Sequence, residues 1–302
     1  MQHRSELEFP YAPLKPFAVS RRSSIPYLNI FLFLATVLTT THVGALQFFP
    51  DILDAARNLT AGLSFSIPLL VILLAHELGH YIVSKRRGVR VTLPFFIPLP
   101  VFSIIGTMGA FIKMESLVPD RRSLFDVGVA GPLAGIAIAI PVSLIGLALS
   151  QVVPLPELRG GLQLGDSLLF RGMQQLVLRG DSSHATIMLH PMAFAGWVGL
   201  LVTALNLIPA GQLDGGHLAY GLLGRWHKLF SYLMVAGLVL LGFTMWYGWL
   251  FWALIITFTL NRLKHPPVLN PGDPIGRGRC WLAALTTLIL ITTFTPVPFK
   301  PF

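Results

Sequence analysis

Long apolar runs separated by short polar segments make up most of this chain. A helix needs about 20 mainly apolar residues to cross a bilayer, because nothing in the hydrocarbon can hydrogen-bond an open backbone. The runs therefore predict an all-α polytopic membrane protein with about six to seven transmembrane helices. The predicted spans are 25–46, 63–84, 124–149, 191–208 with its continuation 216–223, 229–245, 250–263 and 281–295.

The stretch 91–111 is also apolar, but prolines and glycines interrupt it. Each proline in a helix interior costs about 3 kcal/mol, so a regular helix is not expected there. The pattern predicts a re-entrant, β-hairpin-like segment. Irregular backbone at membrane depth is tolerated where it is buried in protein or lines a wet cavity, so this segment is a candidate cavity wall. The interrupting residues are Pro94, Pro98, Pro100, Gly106 and Gly109.

Charged residues between the apolar runs indicate the orientation of the spans. Lys85, Arg86 and Arg87 follow the second predicted span, whereas the segment 47–62 before it has no excess of basic residues. Because cytoplasmic segments carry the excess of Lys and Arg, the N-terminus and residues 85–90 are expected in the cytoplasm. Residues 151–190 form a predicted outer loop that contains one short amphipathic helix.

The composition excludes several classes of protein. Of 302 residues, 54% are hydrophobic and 12% are charged, whereas a soluble domain has about 25% charged residues, so a soluble globular enzyme is excluded. Low charge and 21 Phe also exclude a disordered chain. The net charge of +9 comes from basic residues between apolar runs, which indicate topology, so no nucleic-acid partner is expected. The single cysteine, Cys280, allows no Cys-rich zinc site.

One polar cluster lies inside the second predicted span. His76 and His80 are four residues apart, so on a helix they share one face, with Glu77 beside them. Two imidazoles at this spacing can bind Zn²⁺, and an adjacent carboxylate can accept a proton from water at an open coordination position. Ionisable groups within a span cost about 3 kcal/mol each on insertion scales. Metal binding is therefore favoured over a polar cluster that only bridges helices.

Two histidines leave a catalytic zinc site short of one protein ligand. Asp214 follows a break in the helical pattern, which stops at Pro209 and resumes after Gly215 and Gly216. A carboxylate at such a break can reach a metal held by another helix, because glycines let two backbones come close. Asp214 is also a candidate N-cap of the half-helix that follows, and the two roles are compatible. The candidate third ligands are Asp126, His190, Asp214 and His217.

Three sequence elements, in order along residues 64–224, resemble those of one known family. These are the His-Glu-Leu-Gly-His motif at 76–80, the Gly-Pro motif at 128–135, and the segment 206–216 with its Asn, Pro and Leu-Asp-Gly. The chain is similar to the site-2 protease family of intramembrane zinc metalloproteases. The similarity is to the branch that lacks PDZ domains and includes bacterial and chloroplast members.

The resemblance implies one zinc ion per chain and a role for each matched residue. Glu77 is implied as the base that activates water, and Asn206 as a residue that helps to hold the substrate. For the Gly-Pro motif, tight helix packing is an equally good explanation, because small residues three or four apart let helices approach closely. The implied zinc ligands are His76, His80 and Asp214, and the implied substrate-binding residues are Asn206, Gly131 and Pro132.

The resemblance also implies the function and the organisation of the chain. The expected reaction is hydrolysis of a peptide bond within the transmembrane segment of a single-span membrane protein, in the lipid bilayer. A bacterial inner membrane is the favoured location, and a chloroplast membrane is the alternative. The expected regions are a cytoplasmic N-terminal arm (1–24), a first span with an outer loop (25–62), a three-helix catalytic core (63–224) and additional C-terminal spans (225–302).

Two other functions are compatible with parts of the pattern. A membrane transporter can also keep His, Glu and Asp on broken helices as an ion or proton site, but no inverted repeat is visible in this sequence. A membrane zinc protease of another architecture would use a downstream Glu on an intact helix as its third ligand. The role of Asp214 distinguishes these alternatives.

Overall fold

A computed structural model describes residues 26–99, 103–154, 163–178, 185–258, 268–272 and 274–300. The predicted N-terminal arm, 1–24, lies outside these residues. So do Pro100 of the predicted hairpin, residues 155–162 and 179–184 of the predicted outer loop, and the end of the sixth predicted span at 259–263.

Helices make up most of the described chain, which agrees with the predicted helical fold. Their bounds lie within a few residues of the predicted spans, and the short helix α2 was not predicted. The helices are α1 (Tyr27–Leu46), α2 (Ile52–Arg57), α3 (Leu63–Arg86), α4 (Arg121–Ala148), α5 (Leu168–Leu178), α6 (Pro191–Leu207), α7 (Asp214–Leu223), α8 (His227–Thr244), α9 (Gly248–Phe258) and α10 (Arg277–Thr293).

Local chemistry explains where the central helices begin and end. Asp120 is the N-cap of α4, and its side chain accepts a hydrogen bond from the Ser123 backbone N–H at 2.7 Å. His190 caps α6, and Pro191 takes the first helical position, where its missing N–H costs nothing. The helix α6 ends two residues before Pro209, because proline disfavours helical backbone in the residue that precedes it.

Among the described residues, four helical stretches are long and apolar enough to cross a membrane: Tyr27–Leu46, Leu59–Arg86, Arg121–Ala148 and Asp214–Thr244. The helices α6 and α9 are apolar but shorter. The structure thus supports a membrane protein with four candidate spans, and the predicted total of six to seven stays a prediction. A turn at Gly224, with a positive φ of 54°, separates α7 from α8 within the last stretch.

The segment predicted as a hairpin contains two antiparallel strands, β1 (Phe95–Pro98) and β2 (Thr107–Phe111). A bridge between Val91 and Met114 continues the pairing beyond the strands. We call the described residues 90–99 and 103–115 the ribbon. Asn29 of α1 fastens it, because its side-chain amide donates to the carbonyls of Leu93 and Pro94 at 3.1 and 2.9 Å. The depth of the ribbon in a membrane stays a prediction.

The region predicted as an outer loop with one helix has more structure than expected. The strands β3 (Gln151–Pro154) and β5 (Ala185–Met188) pair antiparallel, and α5 lies between them in the sequence. A second pair joins β4 (Gln163–Leu164) to β6 (Phe299–Lys300) near the C-terminus. These strands are short and their partners are distant in sequence, so no local pattern indicates them.

Helix α4 is the centre of the fold, and α3, α6 and α7 pack around it. The main core contains side chains from these helices, including the fully buried Phe65 and Trp197. Close approach between α3 and α4 depends on Gly79, where a Cβ would lie 2.6 Å from the Ala130 carbonyl oxygen. This packing brings the polar face of α3 against α4 and α7.

Candidate metal and catalytic site

The polar residues of α3 lie on one face of the helix, as their spacing predicts. His76, Glu77 and His80 are 4–5% exposed, although all three are polar. The two imidazole rings approach edge to face with centroids 4.8 Å apart. Burial of three ionisable groups requires specific partners, and α7 and α4 provide them.

Asp214 reaches the histidines from a separate helix. It is the first residue of α7, and Leu213 takes the N-cap position for which Asp214 was a candidate. Its Oδ2 lies 3.1 Å from His76 Nε2, and its Oδ1 lies 3.2 Å from His80 Nε2. The chain break between α6 and α7 therefore places a carboxylate directly against the two imidazoles.

This arrangement fits a zinc ion. One ligand atom from each of His76, His80 and Asp214 can be chosen so that all lie within 4.8 Å of one another, and no other such group of three was found among the described residues. Two neutral imidazole nitrogens and one carboxylate oxygen form a donor set that leaves a tetrahedral zinc one open position.

A backbone carbonyl orients one of the imidazoles. His80 Nδ1 lies 2.8 Å from the Val127 carbonyl oxygen of α4, which can only accept a hydrogen bond, so Nδ1 carries the proton. In the neutral ring, the other nitrogen, Nε2, presents its lone pair towards Asp214 and His76. Metal-binding histidines commonly have such a partner. No sequence signal indicates Val127, because the contact uses its backbone.

Glu77 is placed beside this donor set and next to the ribbon. The backbone N–H of Ile112, the residue that follows β2, lies near the Glu77 carboxylate. The ribbon is therefore next to the candidate base, which the sequence did not indicate.

Asn206 lies at the same site, near the end of α6. Its side-chain nitrogen is 3.3 Å from His76 Nε2, so both ends of the break between α6 and α7 meet His76. A side-chain amide at this position can hydrogen-bond a carbonyl or a water molecule. Its predicted contact with substrate stays a prediction.

The Gly-Pro motif packs against the histidines. A Cβ at Gly131 would overlap the His80 ring, and a Cβ at Gly135 would lie 3.1 Å from His76 Nδ1. The motif therefore leaves room for both imidazoles between α3 and α4. Pro132 is buried within α4. The predicted contacts of Gly131 and Pro132 with substrate stay predictions.

The other candidate ligands are placed elsewhere or engaged differently. Asp126 forms ion pairs with Arg87 and with Arg279, the latter at 2.7 Å. His190 caps α6 by accepting a hydrogen bond from the Met192 backbone N–H at 3.2 Å, and burial lowers its pKa. His217 lies on α7, with its Cβ against Gly128 of α4. Neither Asp126, His190 nor His217 belongs to the cluster of potential ligands.

Comparison with known proteins identifies relatives across most of the chain. The model of peptidase family M50 matches residues 64–245. The chain is 33% identical over 248 residues to the probable zinc metalloprotease EGY1, chloroplastic, of Arabidopsis thaliana, which covers 78% of this chain and 43% of that protein. It is 34% identical over 264 residues to the probable zinc metalloprotease EGY2, chloroplastic, of the same plant, covering 85% and 46%.

A third relative is the probable zinc metalloprotease EGY3, chloroplastic, of Oryza sativa subsp. japonica. It is 29% identical over 249 residues, which is 74% of this chain and 40% of that protein. The chain thus spans less than half the length of these curated relatives. No solved structure matches the chain.

Proposed function

The chain belongs to peptidase family M50, and from this premise we propose that it is an intramembrane zinc metalloprotease of the site-2 type. Its substrates would be membrane proteins with a single span, cut within the transmembrane segment. The observation that carries the proposal is the cluster of His76, His80 and Asp214 from two helices, in which both histidines are buried and the buried Glu77 lies beside them. The transporter alternative is not favoured, because the matching family and the relatives are peptidases.

His76, His80 and Asp214 are the proposed ligands of one zinc ion per chain. When bound, zinc acts as a Lewis acid that polarises the scissile carbonyl, and it lowers the pKa of its bound water to about 7. The metalloprotease names of the relatives support this choice of metal. The Val127 carbonyl holds His80 in the tautomer that presents Nε2 to the site.

Glu77 is the proposed general base. It would accept a proton from the attacking water and pass it to the nitrogen of the leaving amine. The carboxylate lies beside the ribbon, near the Ile112 N–H. Asn206, close to His76, would donate a hydrogen bond to a substrate carbonyl, while Gly131 and Pro132 would form part of the substrate-facing wall of α4.

The substrate segment must be locally unwound before it can be cut, because a helix shields its own peptide bonds. An extended segment would lie beside the ribbon, since exposed strand edges pair with added strands through backbone hydrogen bonds. The proximity of Glu77 to Ile112, the residue after β2, supports this placement. Cleavage would then occur next to Ile112, in the cytoplasmic half of the membrane.

The proposed organisation follows the same orientation. The arm 1–24 and the C-terminal ends of α3 and α7 would face the cytoplasm. Residues 63–224 would form the catalytic core, and residues 225–302 would add C-terminal spans. The re-entrant ribbon would line the cavity at membrane depth. A bacterial inner membrane or a chloroplast membrane would be the setting, and the chloroplastic relatives support the second.

Glu77→Gln tests the proposed base. In liposomes containing a single-span substrate that the wild type cleaves, we expect the cleavage rate to fall by about 10²- to 10⁴-fold, with zinc content near one per chain. Glu115→Gln is the matched control, because Glu115 is an exposed glutamate of the ribbon. Cleavage by the Glu77→Gln variant at the wild-type rate would show that another group is the base.

A further inference from the structure

The loop between α6 and α7 positions two residues of the site at once. The loop begins after Leu207, the last residue of α6, and ends at Asp214. The side chains of Asn206 and Asp214, at its two ends, both contact His76. Gly211 lies in the middle of the loop with a positive φ of 57°, a conformation that favours glycine. Whatever holds Gly211 in place therefore influences where Asp214 lies.

Two polar side chains of α8 hold the Gly211 peptide. The Gly211 backbone N–H donates to Ser231 Oγ at 3.2 Å. Ser231 Oγ in turn lies 3.3 Å from His227 Nε2. The His227 ring also lies near the Gly211 backbone. Ser231, and His227 behind it, thus connect Gly211 to α8.

His227 and Ser231 are four residues apart and lie on one face of α8. They are 2% and 0% exposed, respectively, in a helix whose other residues are nearly all apolar. The rings of Tyr220 and His227 pack edge to face, with their centroids 5.8 Å apart. Buried polar groups are costly unless they are hydrogen-bonded, and this pair uses the Gly211 N–H of the loop as a partner.

We propose that His227 and Ser231 are positioning residues, which hold Gly211 so that the Asp214 carboxylate meets the two histidines. This inference rests on the proposed zinc site, and it adds a part of the site that no motif residue supplies. The first turns of α8 thereby belong to the metal centre's support, although α8 lies beyond the predicted core of 63–224. Residues that hold a metal ligand in place typically change metal affinity by 10- to 100-fold when they are altered.

Ser231→Ala removes the acceptor for the Gly211 N–H and is the first test. In the purified full chain, we expect zinc affinity, measured by competition with a chelator, to fall about tenfold. The absorption spectrum of the Co²⁺-substituted protein should also change, because the carboxylate is displaced. Ser231→Thr, which keeps the hydroxyl, should restore affinity to within about threefold of the wild type, well inside the tenfold loss.

Ser66→Ala is the matched control. Ser66 is also a buried serine in a membrane-type helix, and its hydroxyl lies 2.7 Å from Thr40 Oγ1, far along α3 from the histidines. Its loss should lower thermal stability without changing zinc affinity or the Co²⁺ spectrum. If Ser231→Ala does not fold, His227→Phe keeps a ring against Tyr220 and removes the hydrogen bonds, and it should weaken zinc binding in the same way.

The outcomes separate this inference from the proposed function. Wild-type zinc affinity and an unchanged Co²⁺ spectrum in a folded Ser231→Ala or His227→Phe variant would overturn the positioning role while leaving the zinc site intact. An equal loss of affinity in Ser66→Ala would also overturn it, since the effect would then be general destabilisation. Absence of zinc binding in the wild type would instead reject the proposed function.

Discussion

At the scale of single residues, two contacts with α4 determine where the His80 ring lies. The Val127 carbonyl accepts a hydrogen bond from its Nδ1, and Gly131 leaves the space that its ring occupies. Both contacts come from α4, so the face of α4 next to α3 determines where one proposed zinc ligand points.

Gly131→Ala should displace the His80 ring, because the added methyl group would overlap it. We expect zinc affinity to fall about tenfold or more and the free energy of unfolding to drop by about 1–3 kcal/mol through overpacking. Chelator competition and thermal unfolding of the purified protein measure the two effects.

Gly237→Ala provides the control for that substitution. Gly237 lies in α8, and a Cβ there would meet no atom within 4 Å, so zinc affinity should stay at the wild-type value. If Gly131→Ala bound zinc as tightly as Gly237→Ala does, the motif would have no part in placing His80.

The site residues differ in how far sequence alone identifies them. His76, Glu77 and His80 follow from a local spacing on one helix. Asp214 was one of several candidates, because its distance from the histidines depends on how α7 packs. The contact of Val127 with His80 uses a backbone atom, which the identity of the side chain does not encode.

At the scale of secondary-structure elements, both ends of α7 are held by other helices. Its first residue, Asp214, contacts the histidines of α3. At its last turn, the Arg121 guanidinium of α4 donates to the carbonyls of Gly221 and Leu222, the latter at 2.9 Å. These carbonyls have no partner within the helix, so Arg121 caps α7 while it joins α7 to α4.

Arg121→Ala should therefore loosen α7. Hydrogen bonds from a charged donor contribute about 1.5–3 kcal/mol, and partial exposure of Arg121 places the expected loss of unfolding free energy at the lower end of that range. Thermal unfolding in detergent measures it. Arg86→Ala, at the exposed end of α3, should change the melting temperature little. Equal melting temperatures for the two variants would contradict the capping role.

Helices were predictable as elements because long apolar runs specify them locally. The interruptions by proline and glycine also indicated that 91–111 departs from a helix, and strands occupy 95–98 and 107–111 there. The strands at 151–154 and 185–188 were not predictable. Their pairing depends on residues more than 30 positions apart, and each strand is only four residues long.

At the scale of the whole molecule, the C-terminal segment is joined to the proposed catalytic core on the predicted cytoplasmic side. Arg279 of α10 donates to both carboxylate oxygens of Asp126 at 2.7 and 2.8 Å, and Arg87 of α3 pairs with the same carboxylate. The backbone N–H groups of Leu269 and Asn270 donate to the carbonyls of Val118 and Pro119. Helices α3, α4 and α10 therefore share one ion cluster.

The low charge of 12% indicated a membrane protein, and four described helical stretches are long and apolar enough to cross a membrane. The number of spans was less predictable, because α6, α9 and α10 are short helices whose place in a membrane depends on their neighbours. The same scarcity of charge makes the acidic site residues easy to identify in the sequence. Glu77 and Asp214 are two of only 13 acidic residues, and both are placed beside histidines.

Zinc content is the most direct test of the central claim, that α3 and α7 together form a zinc site. Purified wild-type protein should contain one zinc per chain by atomic absorption, and Asp214→Asn should contain far less. His190→Asn is the matched control: it removes an alternative ligand but keeps a residue that can cap α6, and it should retain the metal. Full zinc in Asp214→Asn, with loss in His190→Asn or His217→Asn, would contradict the account.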